Sequence, residues 1–178
     1  SSSPIKRYIG EKFLFFISFF ISEIVFNNQK SMLKLSFPNY EFRLKKISQK
    51  RFIFDEIRKK FVELTPEEWV RQNCIRFLEK EKKFNKSLIS VEKKISLNNT
   101  TKRFDILVYD NDGSCLLLVE CKAPNIKIDQ NSFDQIIRYN QVINAKFLMV
   151  TNGIIHYYCK INNIQNKIEF LKEIPSNK

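Results

Sequence analysis

The sequence predicts a single α/β domain. Apolar residues recur at helical spacing behind two sets of N-terminal capping signals, at 65–68 and 131–135. Short apolar runs bracket Asp112-Gly113 and Asn152-Gly153, dipeptides suited to closing β-hairpins. Taken in order, these signals give helix, three strands, helix, strand, with the first hairpin in the middle of the sheet. At 178 residues, 43% apolar and 28% charged, the chain holds one ordinary core and is too short for two comfortable ones.

Residues 1–31 read differently from the rest. Lys6, Arg7 and Lys12 lead into FLFFISFFISEIVF, an apolar run shorter than the roughly 20 residues a membrane-spanning helix needs. No small-residue cleavage site precedes Asn27. The expectation is a non-native or upstream-translated extension, with a membrane or export segment as the other reading. Met32 then heads one domain over 32–178, with accessory strands within 33–64, a core over 65–160, and an edge strand and tail over 161–178. LKLSF, YEFRL and RFIFDEIRKKFVEL supply the accessory strands, with a turn at Asp55 to Arg58.

Thr65 stands as N-cap of the first helix, Pro66 at its first position and Glu68 as the reciprocal member of a capping box; the helix runs to about Lys83. Trp69, Val70, Cys74, Phe77 and Leu78 face the sheet, leaving Arg71, Arg76, Lys80, Lys82 and Lys83 largely outside. SLISVEKKISL reads as one strand. The second helix starts at Asn131 to Gln135, with Ser132 and Gln135 at capping-box spacing, and reaches about Asn144. Lys146 to Val150 is a buried strand, IIHYYCK its hairpin partner, and Lys167 to Leu171 an edge strand.

The chemistry concentrates in RFDILVYDNDGSCLLLVECKAP, residues 103–124. With Asp112 and Gly113 as a two-residue type I′ loop, opposing residue numbers sum to 225, and Asp105 lies across from Glu120. Alternation puts Lys122 on that face and turns Cys121 away. Two repelling carboxylates among leucines and valines call for a cation between them. With an adjacent backbone carbonyl, such a pair suits Mg²⁺, which can activate water and stabilise charge at phosphorus, while the Lys122 ammonium points into the same space. The spacing therefore proposes phosphodiester hydrolysis. An ordinary ion-pair cluster at a sheet end has the same signature.

Asp105 followed by Glu120-Cys121-Lys122 resembles the PD-(D/E)xK nuclease motif, and the element order is similar to that superfamily's restriction-endonuclease-like core. From Met32 to about Pro175 the chain also resembles the short proteins related to the N-terminal nuclease domain of type I restriction enzyme R subunits. TPEEWVRQ at 65–72, FDILVYD at 104–110, LLLVECKAP at 116–124, FDQIIRYN at 133–140 and VTNG at 150–153 carry the likeness. Phe104 departs from the proline in the motif's name. The resemblance implies a Mg²⁺-dependent DNA nuclease of restriction, defence or repair type, with Mn²⁺ able to substitute. It assigns Asp105, Glu120 and the Cys121 carbonyl as metal ligands and Lys122 as the catalytic lysine. Gln135 and Tyr139 match the QxxxY pattern of RecB-like branches; Gln135 as a helix cap and Tyr139 as core explain them otherwise. Glu68 either assists at the metal or only caps its helix. Arg71, Lys93, Lys94, Lys102, Arg103 and Arg138 are candidate phosphate contacts. A second copy, for cutting both strands, is a further implication.

Composition sets the partners. The 31 Lys and Arg against 19 Asp and Glu give +12, which suits DNA. A bias toward Lys, Asn, Ile and Phe with only 3 Gly, as an AT-rich genome imposes, accounts for the charge as well. Cys74, Cys115, Cys121 and Cys159 show neither zinc spacing nor a disulfide framework, which fits a reducing, cytoplasmic setting. His156, the lone histidine, reads as a structural strand residue. No GxxxxGK[ST] phosphate loop occurs, so ATP-driven movement would need a motor or specificity protein in trans, and no small-molecule substrate is indicated. A non-catalytic nucleic-acid-binding module on the same fold is the alternative from another class.

Overall fold

The computed structural model describes residues 32–97, 100–162 and 167–176, the side chains of residues 95–97, 100 and 102 excepted. The extension expected at 1–31 lies outside the described residues, and among these no helix is long and apolar enough to cross a membrane.

Three short strands come first: β1 (Leu44–Ile47), β2 (Lys50–Asp55) and β3 (Lys60–Glu63), an antiparallel accessory sheet. LKLSF, expected as a strand, forms none. It is irregular chain, bent at Ser36 and Phe37 and tied to the main body through the Ser36 N–H, which donates to the Gly153 carbonyl at 2.7 Å. Helix α1 (Pro66–Lys80) comes next, with the Glu68 N–H donating to Thr65 Oγ1 at 3.1 Å.

The expected single strand over SLISVEKKISL is broken in two. Lys86–Leu88 is a 3₁₀ turn, β4 (Ile89–Val91) joins the main sheet, and β5 (Lys94–Leu97) pairs with β6 (Thr100–Arg103) as a separate two-stranded arm. Glu92, with a positive φ of 49°, marks the break. Strands β7 (Ile106–Tyr109) and β8 (Cys115–Cys121), helix α2 (Gln130–Ile143), and strands β9 (Phe147–Thr151), β10 (His156–Asn162) and β11 (Lys167–Leu171) complete the fold.

The main sheet runs β11-β10-β9-β8-β7-β4. Its β8/β9 pair is parallel, as an intervening helix allows, and the other pairs are antiparallel. Alternation sorts its side chains into two cores. Ile106, Val108, Leu117, Val119 and Met149 pack with Trp69, Val70, Cys74 and Leu78 of α1, whereas Leu107, Leu118, Leu148 and Val150 pack with Ile136 of α2. The domain is thus three layers of α/β, with the accessory sheet closing onto the α1 side through Leu44 and Ile53.

The β7–β8 connection differs from the two-residue loop expected. The Asp110 N–H donates to the Ser114 carbonyl and the Gly113 N–H to the Asp110 carbonyl, so Asn111, Asp112 and Gly113 form a three-residue loop in which Gly113 alone has positive φ, at 82°. Uncorrected, that loop would shift the register by one. The ladder instead carries a bulge: Tyr109 pairs with Cys115, but Val108 pairs with Leu117, so Leu116 is the extra residue and Ile106 still faces Val119. The sum of 225 holds from Val108–Leu117 to Ile106–Val119, where the ladder ends short of the Asp105–Glu120 pair expected.

The two turn glycines differ in surroundings. A Cβ on Gly113 would meet nothing within 4 Å, whereas one on Gly153 (φ 82°) would meet Leu35 Cδ2 at 2.8 Å and Val70 Cγ2 at 3.1 Å. Gly113→Ala is expected to cost about 1 kcal/mol from backbone strain, and Gly153→Ala about 2–4 kcal/mol because overpacking adds to the strain. Urea unfolding of the two variants measures the difference.

Candidate functional site

At the end of β7 and β8 nearest α1 and α2, the backbone bends at Asp105. Phe104 joins the α2-side core, as Leu107 does, so regular alternation ends between them and the Asp105 carboxylate turns out of the sheet toward α1. Its Oδ2 accepts the Cys121 N–H at 2.6 Å and its Oδ1 accepts from Arg71 Nη2 at 2.7 Å. Asp105 and Glu120 therefore meet at one end of the sheet, although not as a ladder pair, because the β7–β8 pairing begins at Ile106.

Glu120 is 4% exposed and belongs to the α2 side. Its Oε1 accepts from Lys122 Nζ at 2.7 Å and from Gln135 Nε2 at 2.6 Å. Lys122 Nζ also donates to Gln135 Oε1 at 3.0 Å, which closes a ring of three side chains. Tyr139, one turn after Gln135, places its hydroxyl 3.3 Å from Gln135 Nε2. Gln135 is available for this because it does not cap its helix: Asp129 is the N-cap, accepting from the Ser132 N–H at 3.2 Å. The cap expected at Ser132 thus lies three residues earlier.

Burial pushes the Glu120 carboxyl up to about 7, helped by the neighbouring Asp105 charge and opposed by Lys122. Burial pulls Lys122 down, but its hydrogen bond and charge pairing with Glu120 outweigh that and leave it raised. For Arg71, burial again opposes the charge, and Asp105 and Glu68 raise it regardless. The Cys121 thiol points into the core, held well above its ordinary range by a hydrogen bond with Cys74 and by burial. Only its main chain faces the site.

Two expectations for α1 are corrected. Arg71 is not outside but 4% exposed, its guanidinium bonded to Glu68 at 2.5 Å, Glu67 at 3.0 Å and Asp105 at 2.7 Å. With Glu92 also 3.6 Å away, four carboxylates around it reverse the solvation preference of a helix-surface arginine. It is therefore not presented to a phosphate. Lys82, also expected outside, is 7% exposed and paired with Glu173. Glu68 makes only half of its capping box, because the Thr65 N–H bonds the Glu63 carbonyl and the Glu68 carboxylate turns inward. There Arg58 Nη2 reaches it at 2.5 Å and Gln72 Nε2 at 2.8 Å.

Arg58, in the β2–β3 turn, also pairs with Asp55 and Glu92. Sequence reasoning does not single out Arg58, Glu92 or Gln72, although the i, i+3 and i, i+4 spacings of Glu67, Glu68, Arg71 and Gln72 hold the signal. Of the basic candidates, Lys93, Lys94, Arg103 and Arg138 are exposed at the surface; Arg103 also pairs with Glu92 at 3.2 Å. The Lys102 side chain lies outside the described residues.

Among the described residues no three His, Cys, Asp or Glu side chains converge as a ready-made metal centre. The donors at the sheet end are two carboxylates and main-chain groups, all oxygen on the acceptor side, and burial with the neighbouring Asp105 charge raises the proton affinity of Glu120. That donor chemistry fits a hard divalent cation.

A model of the family described as Type I restriction enzyme R protein N terminus (HSDR_N) matches residues 66–175, more than half of the chain. No curated protein matches. Among solved structures, a fragment of a protein assigned as the HsdR subunit of a type I restriction enzyme from Vibrio vulnificus YJ016 is 20% identical at a TM-score of 0.40, over 56% of this chain. The match takes in 21% of that subunit fragment, so the chain spans about a fifth of its length. A protein of Anabaena variabilis ATCC 29413, assigned as a nuclease belonging to DUF820, is 12% identical at a TM-score of 0.40, over 76% of this chain and 80% of that one. The family match starts at the first residue of α1 and runs through the whole main sheet to beyond β11, and on that extent the chain belongs to the Type I restriction enzyme R protein N terminus family, a restriction-type nuclease-like domain.

Proposed function

We propose that the chain is a divalent-cation-dependent DNA nuclease that hydrolyses phosphodiester bonds. The observation that carries this reading is the convergence of Asp105 and Glu120 at one sheet end, with Lys122 and Gln135 bonded to the same Glu120 oxygen. Asp105, Glu120 and the Cys121 carbonyl would hold Mg²⁺ or Mn²⁺, with Glu68 as a further candidate once freed of its arginines. When bound, such an ion supplies an acidified water and charge stabilisation at phosphorus. Lys122 keeps a protonated amine beside the reacting phosphate and offsets the charge that grows there. Gln135 fixes that amine by accepting from it while donating to Glu120, and Tyr139 steadies the Gln135 amide. Lys93, Lys94, Lys102, Arg103 and Arg138 would contact the DNA backbone. ATP-driven translocation, other restriction subunits and a second copy of the chain would come as partners, since this sequence carries no phosphate loop.

One observation favours the second reading, a non-catalytic nucleic-acid-binding module. Arg71 already supplies Asp105 with an internal cation, and the Cys121 N–H takes its other oxygen. Titration calorimetry with Mg²⁺ separates the two: the nuclease reading expects binding that is lost in Asp105→Ala, whereas no binding by the unaltered chain would sink it.

Purified full-length chain should cleave some form of DNA, among linear, nicked, branched and single-stranded substrates, when Mg²⁺ is added. Asp105→Ala and Lys122→Ala should each lower the rate by a factor on the order of 10²–10³ or more. Cleavage unchanged in both variants would mean that the site is elsewhere. In metal-free buffer, the raised Glu120 sets a pH dependence. Its folded-state value of about 7 lies above the ordinary 4.5, so the folded state holds the proton more tightly. The resulting stabilisation is complete below about pH 4.5 and is lost as pH rises through about 7. Chemical unfolding of wild type minus Glu120→Gln should therefore decline across that window; a flat difference would contradict it.

A further inference from the structure

The accessory sheet has two unlike faces. Leu44, Ile53 and Val62 line up across the strands and turn into the core. The opposite face carries two cross-strand rows. In the first, Arg43 stands beside Phe54, whose N–H donates to the Arg43 carbonyl at 2.9 Å, and Phe54 pairs with Phe61. In the second, Lys45 pairs with Phe52 and Phe52 with Glu63. Beyond them Ile47, 51% exposed, pairs with Lys50.

Phe52, Phe54 and Phe61 belong to neither core, and each is half-buried. Three phenyl rings left on a small sheet are costly to hydrate unless something covers them. What covers them in part is positive charge. The Arg43 guanidinium lies 3.6 Å from the Phe54 ring centroid, and Lys45 Nζ lies 4.1 Å from that of Phe61 and 5.8 Å from that of Phe52. Phe54 and Phe61 meet edge to face at 5.2 Å, and the cations over their faces, on the exposed Arg43 and the half-buried Lys45, can be exchanged for another flat group.

Charge decides the class of occupant. Residues 43–63 carry eight basic side chains (Arg43, Lys45, Lys46, Lys50, Arg51, Arg58, Lys59, Lys60) against Asp55, Glu56 and Glu63, a net of +5 within the chain's +12. Asp55 is fully buried, and Glu56 and Glu63 are each shared with a basic neighbour, Arg43 and Lys50. Aromatic faces interleaved with mobile cations fit a ligand that alternates flat π systems with phosphates, and a single nucleic-acid strand is that ligand; an acidic peptide offers the charge without the rings.

We propose that this face of the accessory sheet is a stacking platform for single-stranded DNA, separate from the carboxylate site. Bases stack on Phe52, Phe54 and Phe61, while Arg43, Lys45 and Lys50 swing from the rings and from Glu56 and Glu63 to the phosphates. The platform lies beyond the nuclease reading and stands without it, since binding here needs neither Asp105 nor a metal.

The test is fluorescence anisotropy of the full-length chain with labelled oligothymidine of about 20 nucleotides, longer than the ~4–16 that an OB-fold covers. It is run in chelator so that no cleavage occurs. Phe54→Leu keeps an apolar side chain but removes the flat face, and should weaken binding about tenfold. Lys45→Gln should also weaken it and lower the salt slope by roughly 0.7. Thermal melts of both variants check folding, and Phe52→Leu serves if Phe54→Leu melts early. Affinity unchanged in these variants overturns the proposal, as does equal weakening for duplex DNA, which would reduce the face to a plain basic surface. Sedimentation with phosphatidylserine vesicles that is lost in the same variants, with oligothymidine binding intact, overturns it in favour of a membrane contact. Absence of cleavage in wild type with intact oligothymidine binding counts against the nuclease reading alone.

Discussion

Two carboxylates share one end of the sheet because two irregularities in the β7–β8 hairpin cancel. A three-residue loop sets the first pairs at Asp110 with Ser114 and Tyr109 with Cys115, one step out of register with the rest of the ladder. Leu116 then bulges, and Val108 pairs with Leu117. Had the ladder continued without the bulge, Asp105 would lie beside Val119, and Glu120 beside Phe104. A one-residue slip exchanges the two faces of a strand. Leu117 and Val119, now fully buried against α1, would then exchange places with Leu118 and Glu120. The same constraint thus protects the α1-side core and the carboxylate pair.

Once the register is set, the charges have to be answered locally. Glu120 finds Lys122 and Gln135 on its own side of the sheet, while Asp105 reaches across the sheet end to Arg71 on α1. Arg71 in turn is held by Glu68, and Glu68 by Arg58 of the accessory sheet, so an alternating chain of charge runs from the β2–β3 turn to the carboxylate site. Buried pairs of this kind contribute little net stability, because desolvation offsets the attraction, yet removal of one member leaves its partner stranded at a cost of about 3–5 kcal/mol. What such a network fixes is orientation. It couples the placement of the accessory sheet to the direction in which Asp105 points.

Much of this is legible in the sequence, and the parts that are not share a cause. Thr65, Pro66, the presence of turns at Gly113 and Gly153 and the succession of helix, strands, helix and strand follow from local backbone chemistry, which nearby residues encode, although the lengths of both turns and the β5–β6 arm do not. Period 2 on a strand groups Glu120 with Lys122 and period 3.6 on a helix groups Gln135 with Tyr139, whereas the meeting of the two pairs is what the QxxxY resemblance implies. Arg71 escapes such reasoning because helical periodicity reports the apolar stripe and is silent on which polar residues meet charge from another element. Its partner Asp105 lies 34 positions away, and nothing local announces the contact. Ser132 and Asp129 are both good capping residues, and only the direction of the preceding loop decides between them. The break at Glu92 turns on one residue in a left-handed conformation, which strand propensity does not anticipate.

The Arg71–Asp105 pair bears on whether the site can work as a catalytic centre at all. Arginine stays charged, so it does not release Asp105 Oδ1 by losing its own proton, and the guanidinium has to move. Its surroundings make that move cheaper than breaking an isolated buried pair. Arg71 Nη2 already reaches Glu67 Oε1 at 3.0 Å, and Nη1 stays on Glu68 Oε2, so an Arg71 that leaves Asp105 still faces two carboxylates. Asp105, for its part, keeps the Cys121 N–H on Oδ2 and would exchange one cation for another on Oδ1. Neither partner is left uncompensated in that exchange, whereas a stranded charge is what ordinarily makes such pairs expensive to separate. The internal arginine is therefore compatible with a cation-dependent site: it holds Asp105 directed while the site waits, and it has a second place to go.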